Sequence, residues 1–357
     1  MKRRVLVAMS GGVDSSVAAA LLLDQGFAVE GVTMKLTSGL CCDIGSAQAV
    51  CHHLAIPHRM IDMQDDFERS VVHDFIEEYR RGRTPNPCIR CNEIIKFDKL
   101  LSYARAEGFD HLATGHYARV NFDPLANHYL LKTGIDVSKD QSYFLYRLTQ
   151  DQLRCVQFPL GGLRKTDVRR LAVQRTIPAA ERPESQEICF VPGNDYRSFL
   201  KEHAPGVLRE GDLVMADGTV VGKHHGVACY TIGQRRGLGV PAGERLYVVR
   251  IDHESNRVVL GQRAGLETGE MDVSHGHFLL FDRLTIPMKA DVKVRYRSPS
   301  VSATIRPLNS DHIRVTFDRP IPGVAPGQAA VFYDRGVVIG GGIISSSLRM
   351  PQSARSG

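Results

Sequence analysis

The sequence predicts an α/β protein: a doubly wound parallel sheet occupies the first half, and short β segments building one or two small barrels or sandwiches occupy the second. Three observations carry this. Strand and helix patterns alternate from the N-terminus to about residue 114. A glycine pair separates the first strand from the first helix. After about Gly206 the chain changes to short β-rich runs broken by glycine and proline. Repeated β–α alternation calls for a parallel sheet, because a parallel return needs a crossover and the crossover is usually helical. Ligands of such sheets sit beyond the carboxyl ends of the strands, so the loops after Met9, Met34 and Thr114 are expected to converge.

Val5–Met9 is a short apolar run, read as a buried strand. Ser15–Gln25 is rich in helix formers, and Gly26 supplies a stop. Val29–Met34 reads as a second strand, Ser46–Leu54 as a helix and His58–Ile61 as a third strand. Asp65–Arg81 has the spacing of a long amphipathic helix ended by Gly82. Arg83-Thr84-Pro85-Asn86-Pro87-Cys88 is a turn-rich loop. Glu93–Glu107 is a further helix and His111–Thr114 a further strand. Gly161–Arg182 carries Arg164, Lys165, Arg169, Arg170, Arg175 and Arg182 against Asp167 and Glu181, a basic cluster. The β segments that follow are Asp212–Met215, Thr219–Val221, Leu246–Ile251 and Arg257–Gly261. A second β run follows from about Asp272: Asp291–Tyr296, Ser302–Pro307, Ile313–Phe317, Ala329–Tyr333 and Val337–Ile344. A second basic stretch spans Lys289–Arg319, and Leu348–Gly357 reads as a frayed tail.

The length of 357 residues is a soft prior of two or three domains. With 43% hydrophobic and 24% charged residues, the composition excludes a disordered chain, a collagen-like chain and a disulfide miniprotein. No apolar run approaches the ~18 residues of a membrane span. In MKRRVLVAMSGG the apolar part is shorter than the ~7–15 residues of a signal core, so a cytoplasmic protein is expected. The net charge of +6 permits a polyanionic partner without demanding one. The cysteines are Cys41, Cys42, Cys51, Cys88, Cys91, Cys155, Cys189 and Cys229. In a reducing compartment they raise metal, redox or sulfur chemistry rather than a disulfide framework.

Ser10-Gly11-Gly12-Val13-Asp14-Ser15 follows a strand and opens a helix. Two glycines let successive N–H groups point into one concavity. Ser15 and the helix N-terminus add donors and a positive dipole end, the recipe for holding phosphate. The lysine of a Walker A loop is missing, which weakens a kinase or GTPase reading. The hexapeptide resembles the PP-loop of ATP pyrophosphatases, which cleave ATP between the α and β phosphates and adenylate a carbonyl oxygen. That resemblance implies that Asp14 helps to place magnesium or the pyrophosphate.

Cys88-Ile89-Arg90-Cys91 stands between the Pro-Asn-Pro turn and a helix. A thiolate near a helix N-terminus and beside Arg90 is expected to have a lowered pKa. Cys189 stands alone in Ser185-Gln186-Glu187-Ile188-Cys189-Phe190. Three chemistries compete. A structural zinc site wants four ligands, usually as two close pairs, and only one CxxC is present. An iron–sulfur cluster held by Cys88, Cys91 and Cys189 would leave one iron open. Persulfide chemistry would have one cysteine carry sulfur and another resolve it as a disulfide. Set against all three, Cys189 between Ile188 and Phe190 also fits a core thiol. Cys41, Cys42, Cys51, Cys155 and Cys229 read as structural.

SGGVDSSVAAALL, GRTPNPCIRCNEIIKF, ATGHYAR, KDQSYFLY, SQEICFV, YTIGQRRGLG, VRYR, PGQAAVFY and GGGII follow one another along nearly the whole chain. Together they resemble the bacterial tRNA-uridine 2-sulfurtransferases. That resemblance implies a PP-loop domain over residues 1–205, a small β-rich central domain over 206–270, a C-terminal β barrel over 271–348 and a flexible tail over 349–357. It implies ATP-dependent conversion of the wobble uridine of tRNAs for lysine, glutamate and glutamine to 2-thiouridine. The sulfur would come as a persulfide from a relay protein or cysteine desulfurase, and the enzyme is expected to act as a monomer.

By motif, the resemblance implies that Ala8, Met9, Ser10, Gly11, Gly12, Val13, Asp14 and Ser15 bind ATP with Mg2+, and that Met34 and Gly115 contact the adenosine side. Asn86, Pro87 and Cys88 would face the target base. Cys91 would be the nucleophile and Cys189 the persulfide carrier, leaving a Cys91–Cys189 disulfide. His116, Lys139, Asp140, Gln141, Arg295, Tyr296 and Gln328 would contact tRNA. Some relatives carry aspartate where this chain has Cys88. That third cysteine keeps open a variant in which a [4Fe-4S] cluster on Cys88, Cys91 and Cys189 holds the attacking hydrosulfide. Two rivals stand beside this reading: another PP-loop adenylating enzyme acting on a small carboxylate or amide, and an RNA-binding protein with a silent nucleotide site.

Overall fold

The computed structural model describes residues 2–37, 43–182, 188–240 and 244–349. It divides into two compact units. The first comprises residues 1–72, 87–190 and 335–339. Its center is a parallel sheet of β1 (Arg4–Ala8), β2 (Ala28–Lys35), β3 (His58–Asp62), β4 (His111–Ala113) and β7 (Val156–Gln157), in the order β3-β2-β1-β4-β7. Val5, Leu6 and Val7 of β1 are fully buried, as expected of a central parallel strand covered on both faces. Helix α1 (Val13–Asp24) buries Val17, Ala18, Ala19, Ala20 and Leu22, its alanines allowing a close approach. The chain winds outward from β1 through β2 to β3, then returns to β4 on the other side of β1. That reversal opens a crevice at the carboxyl ends of β1 and β4.

Helix α2 (Ile44–His53) starts at Asp43, whose side chain accepts from Ser46 N–H. Helix α3 spans residues 64–80 and α4 spans residues 87–106. The sequence expectation began α4 at Glu93; it begins at Pro87, a first helical position where the missing N–H costs nothing. The CxxC therefore lies inside the first turns of the helix. From Cys91 to Leu100 the helix takes wide π-type turns. A hairpin of β5 (Ala118–Asp123) and β6 (His128–Thr133) follows β4, and α5 (Gln150–Cys155) leads into β7. Neither the hairpin nor β7 is among the sequence expectations. β7 is only 2 residues long, and the hairpin interrupts the strand–helix alternation. Helix α6 (Lys165–Gln174) packs against α1 in the core of this unit.

The second unit comprises residues 73–86, 191–334 and the chain from 340 onward. Helix α7 (Tyr196–His203) precedes β8 (Gly211–Met215), β9 (Val220–His224), β10 (Tyr247–Asp252) and β11 (Arg257–Gly261), which form a sheet in the order β10-β11-β8-β9. Leu213, Val248, Val258 and Leu260 form its core. Then β12 (Glu267–Phe278), β13 (Met288–Lys293), β14 (Val301–Pro307), β15 (Ile313–Pro322), β16 (Ala329–Asp334) and β17 (Val337–Arg349) run in the order β12-β15-β14-β13-β16-β17. The β12–β17 pairing closes them into a six-stranded barrel. The start of β17 belongs to the first unit, where Val337 pairs with Lys132. Strand β17 runs to Arg349, and the rest of the expected tail lies outside the described residues.

Sequence continuity places residues 73–86 with the first half, but packing places them in the second unit. Tyr79 stacks on Tyr196 with centroids 5.1 Å apart, and Phe75 meets Phe199 edge to face. Aromatic burial of this kind outweighs chain connectivity.

Candidate active site

The glycine loop sits at the carboxyl end of β1. Met9 is anchored there: its N–H donates to Val32 O at 2.7 Å, and its carbonyl accepts from Thr33 Oγ1 at 2.9 Å. Gly11 has φ +79°, and a Cβ there would meet Asp43 O at 2.7 Å, so this turn needs glycine. The N-cap of α1 is Gly12, with no side-chain cap. The first N–H groups of α1 are thus left without a side-chain cap, the arrangement that receives an anion. Ser15 Oγ accepts from Ser10 N–H (3.3 Å) and donates to Gly12 O (3.1 Å), bracing the loop. Ala8 is half-buried and Val13 buried behind it.

Gly115, after β4, touches this loop: a Cβ there would lie 2.8 Å from Ser15 N. Met34 is buried at the end of β2, next to β1. Gly115 and the glycine loop thus share one crevice, and Met34 stands on the strand beside it.

Asp14 is the focus of a cluster that sequence reading did not anticipate. Lys165 Nζ donates to Asp14 Oδ1 (2.7 Å) and Oδ2 (2.8 Å), and Tyr117 Oη donates to Oδ1 (2.7 Å). Lys165 is 7% exposed. In sequence it is one member of a basic cluster; α6 turns it inward. Its backbone N–H donates to Asp136 Oδ2 at 2.9 Å, fixing the start of the helix. Arg182, from the same stretch, donates to Gly11 O and pairs with Asp43 at 2.5 Å. Arg175 pairs with Asp24 and Arg170 with Asp167. The net charge of the segment, visible in sequence, says nothing of these partners.

Cys88 and Cys91 stand one helical turn apart on α4, on one face. Cys91 is buried, while Cys88 and Cys189 are exposed, and none is in a disulfide. The expected depression of the thiol pKa is reversed at Cys88. Protein crowds the sulfur although part of the residue reaches solvent, and this desolvation pushes the thiol up. Lys96 acts in the opposite direction, and a negative Cys189 raises it further. Arg90 donates to Glu93 Oε2 at 2.8 Å, and Arg147 takes the other oxygen of Glu93 at 2.8 Å. Asn92 Nδ2 donates to Phe144 O (3.2 Å), while its Oδ1 is buried with no partner among the described residues. Cys51 is pushed up to about 11 by burial, in keeping with a core thiol. Cys229 is also raised by burial. Cys155 lies against Arg105 at 3.3 Å, and Cys41 and Cys42 lie outside the described residues.

Among the described residues, no group of three His, Cys, Asp or Glu side chains is placed to hold a metal ion. At the glycine loop both oxygens of Asp14 are taken by Lys165.

The residues implied in tRNA contact fall in different settings. His116 is buried against Phe97 and Phe158 and bonds Thr114 Oγ1 at 2.7 Å. Desolvation, with Lys96 second, holds its pKa well below the ordinary value, so it is neutral. Asp140 is buried and accepts from Gly134 N–H and from Ser142 N–H and Oγ. Gln141 brackets Tyr117: its Oε1 accepts from Tyr117 N–H (3.0 Å) and its N–H donates to Tyr117 O (2.9 Å). Lys139 is half-exposed in the same turn. In the second unit Arg295 donates to Ile232 O at 3.2 Å and to Gly323 O, with half-exposed Tyr296 beside it. Gln328 Nε2 donates to Thr84 O (2.8 Å) and Pro85 O (3.2 Å). Asn86 is half-buried and Pro87 buried.

A parallel sheet with an open helix N-terminus on a glycine loop defines an α/β nucleotide-binding protein. The comparisons narrow the class. A family model described as the tRNA methyl transferase HUP domain matches residues 3–193. A tRNA methyl transferase PRC-barrel domain matches 197–262, and an aminomethyltransferase beta-barrel domain matches 268–344. The tRNA-specific 2-thiouridylase MnmA of Acetivibrio thermocellus is 44% identical over 356 residues, covering 96% of this chain and 99% of that protein. Those of Halothermothrix orenii and Carboxydothermus hydrogenoformans are each 45% identical, covering 96% and 97% of this chain and 99% of each relative. The chain belongs to the tRNA-specific 2-thiouridylase family.

Proposed function

We propose that this chain uses ATP and Mg2+ to 2-thiolate the wobble uridine of tRNAs for lysine, glutamate and glutamine. The observation that carries the reading is the crevice where Gly115 packs on Asp14 and Ser15 at the open N-terminus of α1, in a chain whose CxxC stands at the start of α4. The matching domain descriptions say methyl transferase, whereas the full-length relatives are named thiouridylases. The sulfur reading is preferred because methyl transfer leaves both the phosphate loop and the cysteine pair without a task.

The uridine oxygen is a poor leaving group and is activated first. It attacks the α-phosphorus of ATP, and pyrophosphate leaves. The N–H groups of the loop and of α1 hold the phosphates, and magnesium bound with ATP would take most of its ligands from phosphate oxygens and water. The terminal sulfur of a Cys189 persulfide then attacks C2, and AMP departs with the oxygen. The Cys91 thiolate attacks the Cys189 sulfur and breaks its S–S bond; the electron pair stays on the sulfur now attached to C2. A Cys91–Cys189 disulfide is left for an external thiol to reduce. The wobble base must leave its stack to reach the pocket, where Asn86, Pro87 and Cys88 form one wall. Within this reading, residues 1–205 are the catalytic domain, 206–270 the central domain and 271–348 the barrel on which tRNA lies. The protein works as a cytoplasmic monomer supplied by a persulfide relay protein or desulfurase.

The test supplies ATP, a persulfide donor and transcribed tRNA, then digests the tRNA to nucleosides. Formation of 2-thiouridine that requires ATP supports the reading. Pyrophosphate release without tRNA points to the small-molecule rival, and neither product points to the binding protein. Cys91→Ser is expected to abolish thiolation and to leave ATP affinity unchanged; retained thiolation refutes its role.

A further inference from the structure

The segment Thr84-Pro85-Asn86-Pro87 cannot satisfy its own backbone. Two prolines remove N–H donors, and no ladder forms around them, so its carbonyls need donors from elsewhere. The loop Pro326-Gly327-Gln328 supplies them. Gln328 Nε2 donates to Thr84 O at 2.8 Å and Pro85 O at 3.2 Å, and Thr84 N–H donates to Pro326 O at 2.9 Å. Gly327 permits the approach: its φ is +90°, and a Cβ would meet Arg83 Cβ and Thr84 N at 2.8 Å. That loop is itself pinned to β17, with Gly327 N–H on Ile344 O (2.9 Å) and Ile344 N–H on Gln328 O (2.8 Å). On the central domain, Thr231 Oγ1 accepts from Thr84 Oγ1 at 3.4 Å, and His253 lies against Gly82.

We propose that Gln328 is a positioning residue: the barrel loop holds residues 83–86 in place, and so sets the wall Asn86-Pro87-Cys88 that meets the target base. This rests on the thiolation reading above. It differs from a tRNA contact for Gln328, since the amide donors are spent on the protein's own carbonyls.

The test uses the full chain with Gln328→Met, which keeps length and loses both donors. Gly327→Ala serves as a second variant that forces the same backbones apart without altering the Gln328 side chain. Three quantities are read: amide hydrogen exchange across residues 83–90, turnover at saturating tRNA, and tRNA Kd. Faster exchange and turnover lowered about tenfold to a hundredfold, with tRNA Kd unchanged, is the expected result. A raised tRNA Kd with saturated turnover retained would make Gln328 a tRNA contact and overturn the proposal. Unchanged exchange, or faster exchange with full turnover, also overturns it. A wild-type chain that forms no 2-thiouridine would sink the functional reading instead, and the exchange arm would still decide whether the clamp exists.

Discussion

Asp14 and Lys165 show how one side chain sets the character of the proposed phosphate site. A carboxylate facing a triphosphate repels it unless a cation balances the charge, and buried Lys165 does so from 2.7 Å. Lys165→Met is expected to weaken ATP binding by at least tenfold, read by titration calorimetry. It should also destabilize the fold by less than the ~3–5 kcal/mol of a fully buried pair, because Asp14 is partly exposed. Adding Asp14→Asn should return stability without restoring ATP affinity, a double-mutant cycle read by denaturant melts. Cys88 carries the pH prediction. Desolvation raises its pKa above the ordinary value of 9.0, so at neutral pH less of it is thiolate than of a free thiol, and reactivity grows only as pH climbs past that value. Iodoacetamide labelling followed by mass spectrometry should show Cys88 slower than a free-thiol peptide at pH 7. Faster labelling would contradict the desolvation argument. Lys96→Met should slow it further, since the lysine acts against the shift.

Among elements, the crevice depends on two turns, one after β1 and one after β4, that accept no Cβ. Gly115→Ala places a methyl 2.8 Å from Ser15 N, so either the β4 loop or the start of α1 must shift. The expected outcome is a loss of about 1–3 kcal/mol from overpacking together with loss of ATP binding. Thermal melts and nucleotide titration read the two effects separately. The glycine loop itself was legible in sequence, because a strand, a Gly-Gly turn and a helix of alanines and leucines are local patterns. The boundary of α4 was not. Pro85 and Pro87 looked like one turn, yet Pro87 starts the helix and only Pro85 stays in the loop. Proline marks a turn and a first helical position equally well, and only the neighbours that pack against it decide.

For the whole molecule, net charge is a weak guide to the tRNA surface. Arg175 pairs with Asp24, and Lys289 pairs with Asp318 at 2.6 Å. Arg175→Ala should therefore leave the salt dependence of tRNA binding unchanged, whereas a true phosphate contact would lower the slope by about one. Arg295 ties the loop at Ile232 to that at Gly323. Arg295→Ala should lower stability by about 1.5–3 kcal/mol, as for other hydrogen bonds to charged groups, read from the urea midpoint. The sequence by itself determined the strand–helix alternation up to β4, the glycine loop, the CxxC spacing and the β character of the second half. Each of these depends on residues within a few positions of one another, where periodicity and backbone freedom act. Only the tertiary structure decided that Lys165 meets Asp14, that residues 73–86 pack with the second unit, and that Gln328 holds Thr84 and Pro85. Those contacts join residues far apart in the chain, and what selects them is burial, charge balance and the need of a proline-rich backbone for donors.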